Sequence, residues 1–248
     1  MATRKFLSRI HIGKGALAFP DISYKPWMLP LFLVFILGLF YSLSIAPGLT
    51  WTHFSADGGD LISAVATGGV PHPAGYPLYL ILARGFQLLP IGDLAFRTNL
   101  LSAVCTILAI FLLYGYLLRQ LRGRPLAQFS SLLASIAYGL APFVWGQALV
   151  TEVYALHGLL TMLCLYILNL DESRVSEWLR GLVFGVAATN HLSSIMLFPL
   201  LVLRYDGKVF VSPAVLLKRI LGLVCGLSLY LTLPIRAYFD QPVNWGNA

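Results

Sequence analysis

Two aspartates three residues apart, in Ala56-Asp57-Gly58-Gly59-Asp60-Leu61, are the residues of this sequence best suited to chemistry. In a helix beginning near Gly58 both carboxylates fall on one face. A single aspartate held close to lipid can deprotonate an acceptor hydroxyl as a general base. Asp57 also stands where a helix N-cap belongs, with oxygens placed to accept the first backbone N–H groups. Cap and base both stay open on the residues alone. Carboxylates at a membrane surface are costly and tend to be kept for use, which favours a functional role.

Other polar groups fall at similar boundaries. In His72-Pro73-Ala74-Gly75-Tyr76-Pro77 the prolines and glycine fix a rigid turn that presents His72 and Tyr76 at an interface, as anchors or as ligands. Glu152, in Thr151-Glu152-Val153-Tyr154, stands at the start of an apolar run, where it caps a helix or faces the same cavity as Asp57. His191 interrupts an apolar segment; it is either a packed hydrogen-bonding residue or an ionisable group kept for function. Arg84, Arg97 and Arg236 could snorkel to the interface or hold a phosphate. No carboxylate–histidine spacing calls for a metal, and no cofactor is expected.

The elements that must position these groups are membrane helices. Of the 248 residues 58% are hydrophobic and 11% charged, with mean hydropathy +0.79, whereas a soluble domain carries about 25% charged residues. The net charge of +7 sits at the ends of apolar runs and forms no patch for nucleic acid. Cys105, Cys164 and Cys225 each lie within an apolar run and read as packing residues. Spans are expected at about 27–46, 98–118, 127–145, 153–170 and 213–233, with 181–203 a pair of short helices broken at Asn190. Residues 78–89 make a helix of only about 18 Å, too short for a core of about 30 Å. If that helix lies along the interface, the basic tail 1–26, the Arg119–Arg124 cluster and the loop 171–180 all share the cytoplasmic side, as the positive-inside rule requires. Residues 47–97 then form one large external loop carrying interfacial helices, and the acid, histidine and arginine groups collect on the outer side. Such a site suits an anionic, membrane-borne substrate. The abrupt end after Asn247-Ala248 reads as a fragment of a longer protein.

The blocks APGLTWTHFSADGGDLISAVATGGVPHPAGYPLY, IGDLAFRTNLLSA, TEVYAL, TNHL, LPIRA and PVNWG, in that order over about residues 30–247, resemble the domain-of-unknown-function 2723 family. That family includes a eukaryotic transmembrane protein O-mannosyltransferase, and the chain's order of an acidic polar loop after the first span, a Pro-rich turn, an interfacial helix and a span ending in arginines looks like the GT-C superfamily of membrane glycosyltransferases. The resemblance implies an all-α integral membrane protein with a GT-C-like helical bundle over 27–248. It implies transfer of a sugar, mannose by analogy, from a polyprenyl-phosphate donor to an acceptor protein or glycan on the extracytoplasmic side, with inversion and without a metal. Asp57 would be the catalytic base. Asp60 stands where relatives often carry glutamate, and His72, Tyr76, Glu152, Tyr154, His191 and Arg236 match motif positions. Arg84 or Arg236 is the expected cation for the donor phosphate. The competing readings are a transporter or flippase of lipid-linked sugars and a non-catalytic membrane scaffold.

Overall fold

The computed structural model describes residues 28–171, 173–203, 210–239 and 241–247; the basic tail expected over 1–26 lies outside them. Ten α-helices are described: α1 (Met28–Ser44), α2 (Gly58–Thr67), α3 (Pro77–Gln87), α4 (Leu94–Gln120), α5 (Ala127–Gly139), α6 (Pro142–Ala148), α7 (Tyr154–Leu168), α8 (Glu177–Ala188), α9 (Pro213–Leu227) and α10 (Thr232–Tyr238). Short 3-10 segments join them, and among the described residues the β structure is limited to two isolated bridges, Val70–Asn244 and Leu203–Phe210. The fold is that of an all-α membrane protein. Leu94–Gln120 and Pro213–Tyr238 are long and apolar enough to cross a bilayer, and α5 with α6 would be a third such span bent by 66°. Helices α1 and α7 are apolar but shorter.

Helix ends follow local chemistry. Asp93 Oδ1 accepts the Phe96 N–H at 2.7 Å and starts α4 four residues before the expected span, so the loop placed at 47–97 yields its last residues to that helix. Ser176 caps α8, whose first turn takes in Glu177 and Arg180, residues expected in a charged loop. The continuous span expected at 127–145 is broken at Leu140-Ala141-Pro142, because Pro142 offers no N–H and its ring clashes with the preceding turn. Residues 181–203 break where Thr189-Asn190-His191 suggested, although the second half is a 3-10 segment, Leu192–Leu201, that includes Pro199. Helix α3 is short, as expected, with Tyr79, Leu80 and Ala83 buried on one side.

Two apolar clusters share α4. One gathers Leu33, Leu37 and Tyr41 of α1 with Ile110, Leu132 and Val150. The other packs Leu61 and Val65 of α2 against Tyr79, Leu80, Leu156 and Phe184, and so supports the helix that carries the aspartates. Cys105 and Cys164 are buried as expected, but Cys225 is exposed on α9 and does not pack inside the described fold. Arg219 is buried: its Nε reaches Glu177 Oε2 at 2.6 Å and its Nη1 the Leu201 carbonyl at 2.7 Å.

Cysteines introduced at the exposed positions Trp51 and Gly123, at opposite ends of the α1–α4 pair, should label with an impermeant maleimide from opposite sides of the membrane. Labelling from one side would overturn the topology derived from the cation distribution.

Candidate active site

Asp57 occupies the N-cap position of α2 but does not cap it. Its backbone is helical and its carboxylate takes no hydrogen bond from the first turn. Where the sequence left cap and base open, the structure leaves this side chain, 48% exposed, available to other groups. Asp60, one turn along, is the anchor. Its Oδ2 accepts the His72 backbone N–H at 2.9 Å and lies 2.7 Å from His72 Nδ1, while its Oδ1 accepts Trp245 Nε1–H at 3.2 Å. An ionised carboxylate can only accept, so Nδ1 carries the proton and Nε2 faces outward. Nε2 lies 3.1 Å from the Tyr76 hydroxyl and 3.4 Å from Asp57 Oδ2. The neutral ring accepts from Tyr76; the protonated ring can bridge the two aspartates.

The rigid turn predicted from its prolines delivers that ring. Tyr76 sits in the left-handed region, φ 47°, immediately before Pro77, a conformation disfavoured for a bulky residue in that position. Strain of this kind clusters where a side chain must be aimed. Burial, and then the charge of Asp57, raise the Tyr76 phenol above its ordinary range and keep it a donor.

Glu152 joins from the 149–153 connection. That strand of chain is clamped: Thr151 Oγ1 donates to Asn99 Oδ1 at 2.7 Å, Ser55 Oγ to the Thr151 carbonyl at 3.3 Å, and Asn190 Nδ2 to the Val153 carbonyl at 3.1 Å. Asn99 Nδ2 in turn donates to the Ala46 and Gly48 carbonyls. Glu152 is buried, 2% exposed, with its carboxyl close to the backbone of Asp57 and Val153. Burial first, and the neighbouring Asp57 charge second, push its carboxyl up to about 7. The folded protein therefore binds this proton more tightly than the unfolded chain, whose glutamate titrates near 4.5. The resulting stabilisation is fully present below about 4.5 and is lost as pH rises through about 7. Glu152→Gln should remove that component: the stability difference between wild type and variant, read from unfolding midpoints in detergent, should change between pH 5 and pH 8 against the wild type on the alkaline side. A pH-independent difference would sink the assignment.

Beyond Tyr154 lies a second polar cluster. The Tyr154 and His191 rings are 5.5 Å apart, and His191 lies 5.1 Å from His157. His157 Nε2 is 2.9 Å from Ser193 Oγ, and His191 Nδ1 is 2.7 Å from the same hydroxyl. The sequence reading missed His157 inside an apolar run; its signal was the three-residue spacing from Tyr154, which puts both on one helix face. Asn99 and Trp245 were also missed as positioning residues.

Arg84 and Arg236 go elsewhere. Arg84 Nη1 donates to the Ala66 carbonyl at 3.3 Å and Arg236 Nη1 to the Gly69 carbonyl at 3.5 Å, both at the C-terminal end of α2. The 10 residues of α2 put that end about 15 Å from Asp57. Arg97 is structural: it donates to the carbonyls of Gln87, Ile91 and Gly92. An apolar cavity of about 370 Å³, walled by Val70, Pro73, Leu233, Pro234 and Trp245, opens beside the Asp60–Trp245 contact. Among the described residues no group of three or more His, Cys, Asp or Glu side chains could hold a metal ion.

A family model described as the protein O-mannosyl-transferase TMEM260 N-terminal domain matches residues 57–210, a stretch that begins at Asp57 and runs through Glu152 and His191. The chain is also similar to the protein O-mannosyl-transferase TMEM260 of Mus musculus, 27% identical over 204 residues that cover 77% of this chain. The chain spans 28% of the length of that relative. No solved structure matches it.

Proposed function

The chain belongs to the protein O-mannosyl-transferase TMEM260 N-terminal domain family, and we propose that it carries the catalytic end of a GT-C-type glycosyltransferase. Its donor is a sugar, mannose by analogy with the relative, on a polyprenyl phosphate, and its acceptor is a hydroxyl on the extracytoplasmic side. The observation that carries the reading is the uncapped Asp57 carboxylate, open on one side and bounded on the other by His72 and Glu152.

In this mechanism Asp57 takes the acceptor hydroxyl proton while that oxygen attacks the anomeric carbon. The bond to the phosphate oxygen breaks on the opposite face, the lipid phosphate leaves with the electron pair, and the anomeric centre inverts. Asp60 holds His72 in one tautomer and one orientation, so the Asp57 carboxylate meets the same neighbour each turnover. Glu152, protonated below about 7, leaves Asp57 as the lone negative charge facing the acceptor. The leaving phosphate is one oxygen away from the reacting carbon and must lie close to Asp57. The Tyr154–His191–His157 cluster follows Glu152 directly and suits that role better than Arg84 and Arg236 in their present contacts. The two guanidiniums are within electrostatic reach of each other and could close on the donor only by leaving the Ala66 and Gly69 carbonyls.

The test is donor choice. Full-length protein in lipid should transfer radiolabelled mannose from mannosyl-phosphoryl-polyprenol and not from a nucleotide sugar, and should do so after treatment with a chelator. Transfer from the nucleotide sugar alone, or none from either, would overturn the proposal.

A further inference from the structure

A second, roomy groove lies at the other end of the molecule, where nothing in the proposed reaction reaches. A groove of about 960 Å³ runs between the start of α1, the end of α4 and the start of α5. Its walls are apolar: Leu29 and Phe32 on one side, Leu126, Phe129 and Leu132 on the other. Phe32, Leu126 and Phe129 are each at least half exposed, so the walls run on into the outward-facing apolar surface. Its rim is cationic, with Arg119, Arg122 and Arg124 all lining it.

That rim is held in place. Arg119 Nη2 donates to the Asn169 carbonyl at 2.9 Å. The turn behind it is closed by Arg122 N–H to the Arg119 carbonyl at 3.3 Å and Arg124 N–H to the Leu121 carbonyl at 2.9 Å, with Gly123 at φ 79°. Gly123 supplies a left-handed turn that a side chain would resist, and it spaces the two guanidiniums. Among the described residues no carboxylate pairs with any of the three. Asp171 is taken by Arg174, and Glu177 by Arg180 and Arg219.

We propose that this groove seats one anionic phospholipid of the leaflet opposite Asp57, with its phosphate on Arg122 and Arg124 and its acyl chains along Phe32 and Phe129. Charge complementarity chooses the occupant. The chain preceding Met28 carries Arg4, Lys5, Arg9, Lys14 and Lys25 against Asp21, the same sign as the rim, and offers it little counter-charge. A soluble phosphate would satisfy the rim and leave the apolar walls bare. A zwitterionic lipid would bring its own cation to an already cationic mouth. Only the anionic lipid fills both halves of the groove.

The experiment is native mass spectrometry of the purified protein released from nanodiscs of equal phosphatidylglycerol and phosphatidylcholine. One phosphatidylglycerol should remain bound in preference to phosphatidylcholine. The exposed pair Arg122→Gln and Arg124→Gln should weaken that retention on the order of 30-fold, two guanidinium contacts being lost. Arg174→Gln, an equal kind of charge loss outside the groove, should leave it unchanged, and Phe129→Asn, with the rim intact, should lower it. Retention that survives loss of both arginines, that falls equally with Arg174→Gln, or that is abolished by inorganic phosphate irrespective of Phe129 would overturn the proposal. Circular dichroism of each variant separates loss of the site from loss of the fold.

Discussion

Asp57→Asn in the full-length protein should lower sugar transfer by two to four orders of magnitude, the usual contribution of a positioned general base, while leaving the protein folded. The substitution keeps size and polarity and removes only the capacity to take a proton. It also separates base from cap. A side chain that satisfied the first N–H groups of α2 would cost about 1 kcal/mol when lost, but the Asp57 carboxylate makes no such bond. Unfolding in detergent should therefore shift by no more than about 0.5 kcal/mol, as for other surface changes. Asp60→Asn should behave differently. Its carboxylate is held by the His72 backbone, the His72 ring and Trp245, and an amide cannot accept all three as well. Stability should fall together with rate. Radiolabel transfer and thermal unfolding on the same samples decide the matter: full activity in Asp57→Asn removes it as the base, and equal unfolding in both variants returns it to a structural role.

Why Asp57 was legible and His157 was not follows from where each sits. Asp57 stands in a polar stretch flanked by glycines, and its three-residue spacing from Asp60 survives any shift of helix boundary. His157 is one ionisable residue inside Leu156–Leu160, and hydropathy averaged over a span erases it. The helices themselves were readable to within a few residues, since lipid forces long apolar runs with all backbone groups bonded internally. Hydropathy carries no information on direction, however, so the bend at Pro142 passed unseen within an apolar run. The pairing of Asp60 with Trp245 and of Thr151 with Asn99 joins residues far apart in the chain, and no local pattern records it. Arg219 shows the same limit in reverse. A cation between two apolar stretches reads as a surface residue, and only the packing of α8 on α9 shows it buried against Glu177.

That packing rests on four glycines, and Gly222→Val should be strongly destabilising. Gly181 and Gly185 on α8 and Gly222 and Gly226 on α9 are each spaced by four, the small-residue pattern that lets helices approach closely in lipid. A Cβ on Gly222 would meet the Trp178 carbonyl oxygen and lie 2.7 Å from the Leu182 backbone nitrogen, and one on Gly181 would strike the Arg219 carbonyl. These obstacles are backbone, so no rotamer change relieves them and the helices must part. Overpacking alone costs about 1–3 kcal/mol. Parting also pulls Arg219 from Glu177 and from the Leu201 and Leu203 carbonyls, and an uncompensated buried charge costs about 3–5 kcal/mol. With about 2–4 °C lost per kcal/mol in a chain of this size, the midpoint should drop by at least roughly 10 °C, or the folded monomer should be lost from detergent altogether. Gly158→Val is the control, since nothing lies within 4 Å of its Cβ position on α7. A Gly222→Val protein that melts with the wild type would mean that α8 and α9 do not meet through these glycines. The buried Glu177–Arg219 pair would then need another explanation.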